Sequence, residues 1–180
     1  MSYLNPQAIV STEWLSRNIN DPNLVVLDGT YHLPTANRNA SEEFPLKHIE
    51  GAVFFNIDDI ADADNVLPHM LPSDEVFSEK VGALGINNEK RVVVYDVYGM
   101  QSAARTWWMF HFFGHENVAV LDGGLPKWIK EGNQISSSPV TPLPTTFVCN
   151  RQPQLVKNLN EIKEIVEGGQ GQIIDARSLG

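Results

Sequence analysis

Val92-Val93-Val94-Tyr95-Asp96-Val97-Tyr98-Gly99-Met100-Gln101-Ser102-Ala103-Ala104-Arg105 carries the clearest structural signal in the chain. Val92 to Tyr95 run without alternation, as in a strand covered on both faces. Asp96 ends that strand and Gly99 allows a sharp turn. Ser102 is the N-cap candidate for a helix over 103–113. A strand–loop–helix of this kind aims backbone N–H groups and a helix dipole at the loop centre, which favours an anion there. Many α/β enzymes put a nucleophile or a phosphate at that point, and Asp96 is neither. The loop is either an active site or a copy that has lost its chemistry.

The flanking segments repeat the same grammar. On the N-terminal side come a short strand at Ile9-Val10, a helix capped by Ser11, and an apolar strand over 24–28 with an acidic end. Residues 30–47 are polar, with Pro34 and Pro45, and read as a long loop with one helical turn near Ser41. His48 to Phe55 is a turn into a short strand, 58–62 is a short helix at most, and 65–72 is a loop. Ser73 caps a helix over 74–84 that Gly85 stops. On the C-terminal side, the helix over 103–113 is apolar nearly all round and is expected to be deeply buried. A strand over 118–121, the turn Asp122-Gly123-Gly124 and a helix over 125–131 complete the series. Strands alternating with helices predict an α/β fold with a mostly parallel sheet and helices on both faces.

Composition excludes several functions. The 180 residues carry a formal charge of -9, so no basic stripe offers itself to nucleic acid phosphates. Cys149 is the only cysteine, which excludes an intrachain disulfide and a cysteine-based metal site. No apolar run approaches membrane-spanning length, and Met1 to Val10 lacks the pattern of a signal peptide, so a cytoplasmic location is expected.

Composition shifts after residue 135. Residues 136–144 are rich in Ser, Thr and Pro, a semi-rigid linker signature, and 145–151 read as a short extended segment that includes Cys149. Asn158 then caps a helix over 159–167, and Ile173-Ile174-Asp175 begins a strand. Helix, break, apolar strand and acidic end is also the order at the start of the chain, which points to an internal repeat. The expected organisation is a first domain over 1–135, a linker over 136–157, and the start of a second domain over 158–180 in a longer protein.

The ordered set His48-Ile49-Glu50-Gly51-Ala52, Phe54-Phe55, His69-Met70-Leu71-Pro72, Val94-Tyr95-Asp96, Ser102 to Phe110 and Leu121-Asp122-Gly123-Gly124-Leu125 with Trp128 resembles the N-terminal domain of the tandem rhodanese family. That family comprises thiosulfate and 3-mercaptopyruvate sulfurtransferases. Asp175-Ala176-Arg177 looks like the opening of the second domain. The resemblance implies that chemistry resides on that second domain, where a loop Cys takes sulfur as a persulfide and passes it to a thiol or cyanide acceptor, thioredoxin-like proteins included. The Asp96 loop is then the inactive copy, and these residues alone are expected to be inactive. The resemblance calls for no cofactor or metal.

For mercaptopyruvate enzymes the resemblance brings an Asp and a His of the first domain near the catalytic loop, here Asp58 and His69. A carboxylate orienting an imidazole suits a proton relay during C–S cleavage. Asp175 and Arg177 are the residues it suggests for substrate binding. Thiosulfate as donor, and a non-catalytic binding or regulatory module, are the competing readings. Asp58 has an alternative as a helix cap. Arg105 is expected to form a buried ion pair, Trp107 and Trp108 to pack, and Cys149 to be chemically quiet.

Overall fold

The computed structural model describes residues 3–5, 7–169 and 171–175. In chain order the elements are β1 (Ile9–Val10), α1 (Thr12–Asn18), β2 (Leu24–Asp28), α2 (Ala40–Glu43), β3 (His48–Ile49), β4 (Val53–Phe54) and α3 (Asp74–Ala83), followed by β5 (Arg91–Tyr95), α4 (Ala103–Phe112), β6 (Val118–Leu121), α5 (Gly124–Lys130), β7 (Ile135–Ser136) and α6 (Leu159–Gly168). Five strands form one parallel sheet in the order β1-β6-β5-β2-β4. A small antiparallel pair, β3 with β7, lies apart from it.

The unalternating run in β5 has a direct explanation. Val92 and Val94 face a core layer with Phe77 and Val81 of α3 and Met109 and Phe110 of α4. Val93 and Tyr95 face the opposite layer, with Leu15 of α1 and Leu125 and Trp128 of α5. Both faces are apolar because helices cover both. Ser11 and Ser73 cap α1 and α3 as expected, each accepting a backbone N–H three residues on.

Three expectations change. Residues 58–62 form turns rather than a helix, so Asp58 caps nothing. Helix α4 is buried on one side only: Met109 and Phe110 are enclosed, whereas Trp107, Trp108 and His111 are half-exposed. Ile173 and Ile174 form no strand and are exposed, because no neighbouring strand among the described residues pairs with them.

The segment expected to be a spacer is fastened to the domain. Thr145 N–H donates to the Gly82 carbonyl at 2.9 Å. A Cβ on Gly82 would lie 2.4 Å from the Thr145 carbonyl oxygen, so glycine is what allows the crossing. The Asn88 amide brackets Val148 with two bonds of 2.8 and 2.9 Å, and Asn150 and Gln152 donate to the carbonyls of Phe113 and Phe112. Phe147 enters the core beside Phe77 and Phe110. One aromatic in a Ser/Thr/Pro-rich run has no periodicity to betray its burial. Cys149 in the same strap contacts the Ser78 hydroxyl, and burial pushes its thiol pKa up, away from nucleophilic use.

Truncating Phe147 to Ala is expected to cost about 3–5 kcal/mol in urea unfolding, whereas Val148→Ala on the exposed side stays within about 0.5 kcal/mol. Equal effects would mean the strap is not part of the core.

Candidate functional site

Asp96 ends β5 with its side chain fully buried. Its carboxylate accepts five backbone N–H groups. Oδ1 takes those of Tyr98, Gly99 and Met100 at 2.9, 2.7 and 3.1 Å. Oδ2 takes those of Gln101 and Ala103 at 2.7 and 2.8 Å. The anion-favouring loop therefore holds an anion of its own. The Gly123-Gly124 turn closes over the other side: Leu125 N–H donates to the Asp96 carbonyl, and a Cβ on Gly124 would lie 2.4 Å from that oxygen.

The Asp96 carboxylate also does what was expected of Ser102. Ser102 has helical φ/ψ rather than the extended geometry of an N-cap and makes no capping bond, while Asp96 takes the Ala103 N–H. Freed from the helix, the Ser102 hydroxyl accepts the Tyr31 N–H at 3.1 Å. One turn further along α4, Arg105 departs from expectation too. No carboxylate among the described residues pairs with it. Its guanidinium lies 4.6 Å from the Trp108 ring and donates to the His69 carbonyl at 2.8 Å.

These two contacts converge on His69. Its backbone is left-handed, with φ of 57°, in the loop that precedes α3. Arg105 holds its carbonyl, and the Tyr31 ring meets its imidazole edge-on at 4.6 Å. His69 Nε2 lies 2.7 Å from Asp58 Oδ1. Asp58 in turn is presented by the Asn56 turn, whose side chain accepts the Asp58 N–H. The Asp58 side chain is 68% exposed and that of His69 22%. With the Asp58 oxygen as acceptor, Nε2 carries the proton and Nδ1 is left as the basic face of the ring.

The structure thus brings His69 and Asp58 together and adds Tyr31 and Arg105, neither assigned a place there by the sequence. They lie 38 and 36 residues from His69 and form no local pattern. Asp175 is exposed, and Arg177 lies outside the described residues. Among the described residues no three His, Cys, Asp or Glu side chains are grouped to hold a metal ion, and no helix is long and apolar enough to cross a membrane.

A model of the rhodanese-like domain matches residues 11–131. The chain belongs to the rhodanese family. It is 42% identical to thiosulfate/3-mercaptopyruvate sulfurtransferase 1, mitochondrial, of Arabidopsis thaliana over 193 residues, covering 96% of this chain and 51% of that protein. It is 39% identical to human 3-mercaptopyruvate sulfurtransferase, covering 97% of this chain and 61% of the relative. The crystal structure of SseA from Escherichia coli, a 3-mercaptopyruvate enzyme, superposes with a TM-score of 0.88 at 36% identity, over 94% of this chain and 65% of that one. The chain therefore spans only part of the length of these relatives. The α/β fold with a mostly parallel sheet read from β5 and its neighbours, and the rhodanese-like fold that the resemblance implied, agree with that superposition.

Replacing Asp96 by Asn keeps the shape but leaves five N–H donors facing one acceptor oxygen and a competing NH2. A loss of about 2–4 kcal/mol in urea-unfolding free energy is expected. A change under about 0.5 kcal/mol would show that the carboxylate does not hold the loop.

Proposed function

We propose that the full-length protein is a sulfurtransferase that moves sulfur from 3-mercaptopyruvate to a thiol or cyanide acceptor. The sulfur is carried as a persulfide on a Cys of a second rhodanese domain. On this reading residues 1–135 are the non-catalytic first domain, 136–157 the connection and 158–180 the opening of the second. Helix α6 suits that role: its capping box is complete, while Leu159 and Val166 remain 70% and 62% exposed, ready for cover by further chain.

The observation that carries the reading is the His69–Asp58 hydrogen bond, held open to the surface by Arg105 and Tyr31. Cleaving the C–S bond of mercaptopyruvate leaves a pyruvate enolate that needs a proton. An imidazole oriented by a carboxylate supplies and recovers one. Thiosulfate releases sulfite, which leaves as an anion and needs no such help, so the pair favours mercaptopyruvate. The Asp96 loop supports the persulfide step by analogy within the chain. Five converging N–H groups around a carboxylate are the environment that, around a Cys in a second copy, lowers the thiol pKa and holds an anionic persulfide. Asp175 and Arg177 are proposed to help bind the donor, with thioredoxin-like thiols among the acceptors and a cytoplasmic site of action. One relative bears a mitochondrial name.

The test is steady-state pyruvate release by the full-length protein. His69→Ala is expected to lower kcat with mercaptopyruvate by about 100-fold, while turnover of thiosulfate changes less than about threefold. Wild-type rates with mercaptopyruvate in that variant would remove His69 from the mechanism. A wild-type protein releasing no pyruvate would favour a binding module instead.

A further inference from the structure

Arg105 is a half-buried cation that no carboxylate among the described residues balances, and burial draws its pKa down. Such a charge costs stability unless a specific arrangement needs it. Arg105 is committed in two directions at once. Its Nη2 donates to the His69 carbonyl at 2.8 Å, and its guanidinium carbon lies 4.6 Å from the centre of the Trp108 ring. A planar guanidinium can divide itself between a hydrogen-bond acceptor and an aromatic ring; a lysine ammonium has no such plane.

The aromatic stripe continues one turn along α4, where Trp108 stacks on Phe112 at 5.9 Å. A second guanidinium, that of Arg151, lies 5.7 Å from the Phe112 ring and donates to the Pro72 carbonyl at 3.1 Å. Two arginines seated on one face of α4 thus hold the first and last carbonyls of His69-Met70-Leu71-Pro72. Between them the Met70 carbonyl accepts the Asp62 N–H at 2.9 Å. Arg151 is balanced by Asp74 at 2.5 Å. The unbalanced Arg105 holds the carbonyl of the residue whose φ is 57°.

A left-handed backbone is unfavourable for an L-residue other than glycine. Relaxing φ at His69 would turn its carbonyl and its Cβ together about the N–Cα bond. That rotation would carry the imidazole off Asp58 Oδ1, which Nε2 now meets at 2.7 Å. A pinned carbonyl therefore pins the ring. We infer that Arg105 is a positioning residue: it fixes the His69 backbone in the conformation that sets the imidazole on Asp58, and it acts through His69 rather than on the donor. The inference rests on the sulfurtransferase reading and deepens it. A cation beside the imidazole invites a direct role with an anionic donor, but here an N–H is spent on a carbonyl and the guanidinium on an indole.

A double-mutant cycle in the full-length protein separates the two roles. Arg105→Met keeps an unbranched apolar side chain beside Trp108 and removes every N–H donor. It is expected to lower kcat for pyruvate release from mercaptopyruvate about tenfold, with KM within about twofold of wild type. In a His69→Ala background the same change is expected to alter kcat less than about twofold, because the group it positions is gone. Arg105→Lys, which keeps a charged donor without the plane, is expected to lose about threefold, and only while His69 is present; it decides the matter should Arg105→Met fail to fold. A wild-type protein releasing no pyruvate would overturn the sulfurtransferase reading and the inference with it. Normal wild-type release would leave that reading standing, and three results would then overturn the inference alone: wild-type kinetics in the Arg105 variants, a tenfold rise in KM with kcat kept, or equal losses with and without His69.

Discussion

The Asp96 carboxylate is the constraint from which the candidate site follows. It is buried at the end of the central strand, and five N–H groups from the next seven residues turn towards it. A buried carboxylate without partners would cost several kcal/mol, and so would orphaned N–H groups at the start of α4. Each solves the other's problem. The loop needs no bound anion because it contains one, and for the same reason it has no nucleophile.

The loop built on Asp96 also has a supporting task. With Asp96 capping α4, Ser102 is free to hold Tyr31, and the next turn of the helix puts Arg105 on the His69 carbonyl. His69 sits in a left-handed backbone conformation in the loop before α3. Such a residue keeps one orientation only when its surroundings over-determine it. Arg105, Tyr31 and Asp58 do so from three directions. Tyr98, in the same loop, engages buried His32 and so ties the α2 region into the assembly. The Asp96 loop and the first turns of α4 thus support the His69–Asp58 pair on one side and the Tyr98–His32–Glu43 chain on the other.

The strap over 145–152 has a related logic. Its side chain Phe147 fills the layer beneath Phe77, Phe110 and Phe113, so the chain leaving the domain also completes its core. Arg151 adds a salt bridge to Asp74 at the start of α3, where a negative side chain already favours the helix dipole. Chain beyond residue 152 therefore departs from a defined point on the domain rather than from a free tether.

Much of the architecture was legible before any coordinates. Val92 to Tyr95 announces a doubly covered strand because hydrophobic runs and cap residues act locally, within a few positions. The resemblance carried by His48 to Ala52, His69 to Pro72 and Leu121 to Leu125 named Asp58 and His69 as candidates, and the fold brings them to 2.7 Å. Local chemistry misleads where two residues have the same capability. Ser102 and Asp96 are both good caps, and only the folded φ/ψ at Ser102 hands the role to Asp96. It is silent where partners are distant. Arg105 with His69, Tyr31 with Ser102 and Tyr98 with His32 are separated by 36, 71 and 66 residues. One sequence records which groups exist and their local propensities. Which distant groups meet follows from the packing of helices on both faces of a parallel sheet, a property of the whole chain at once.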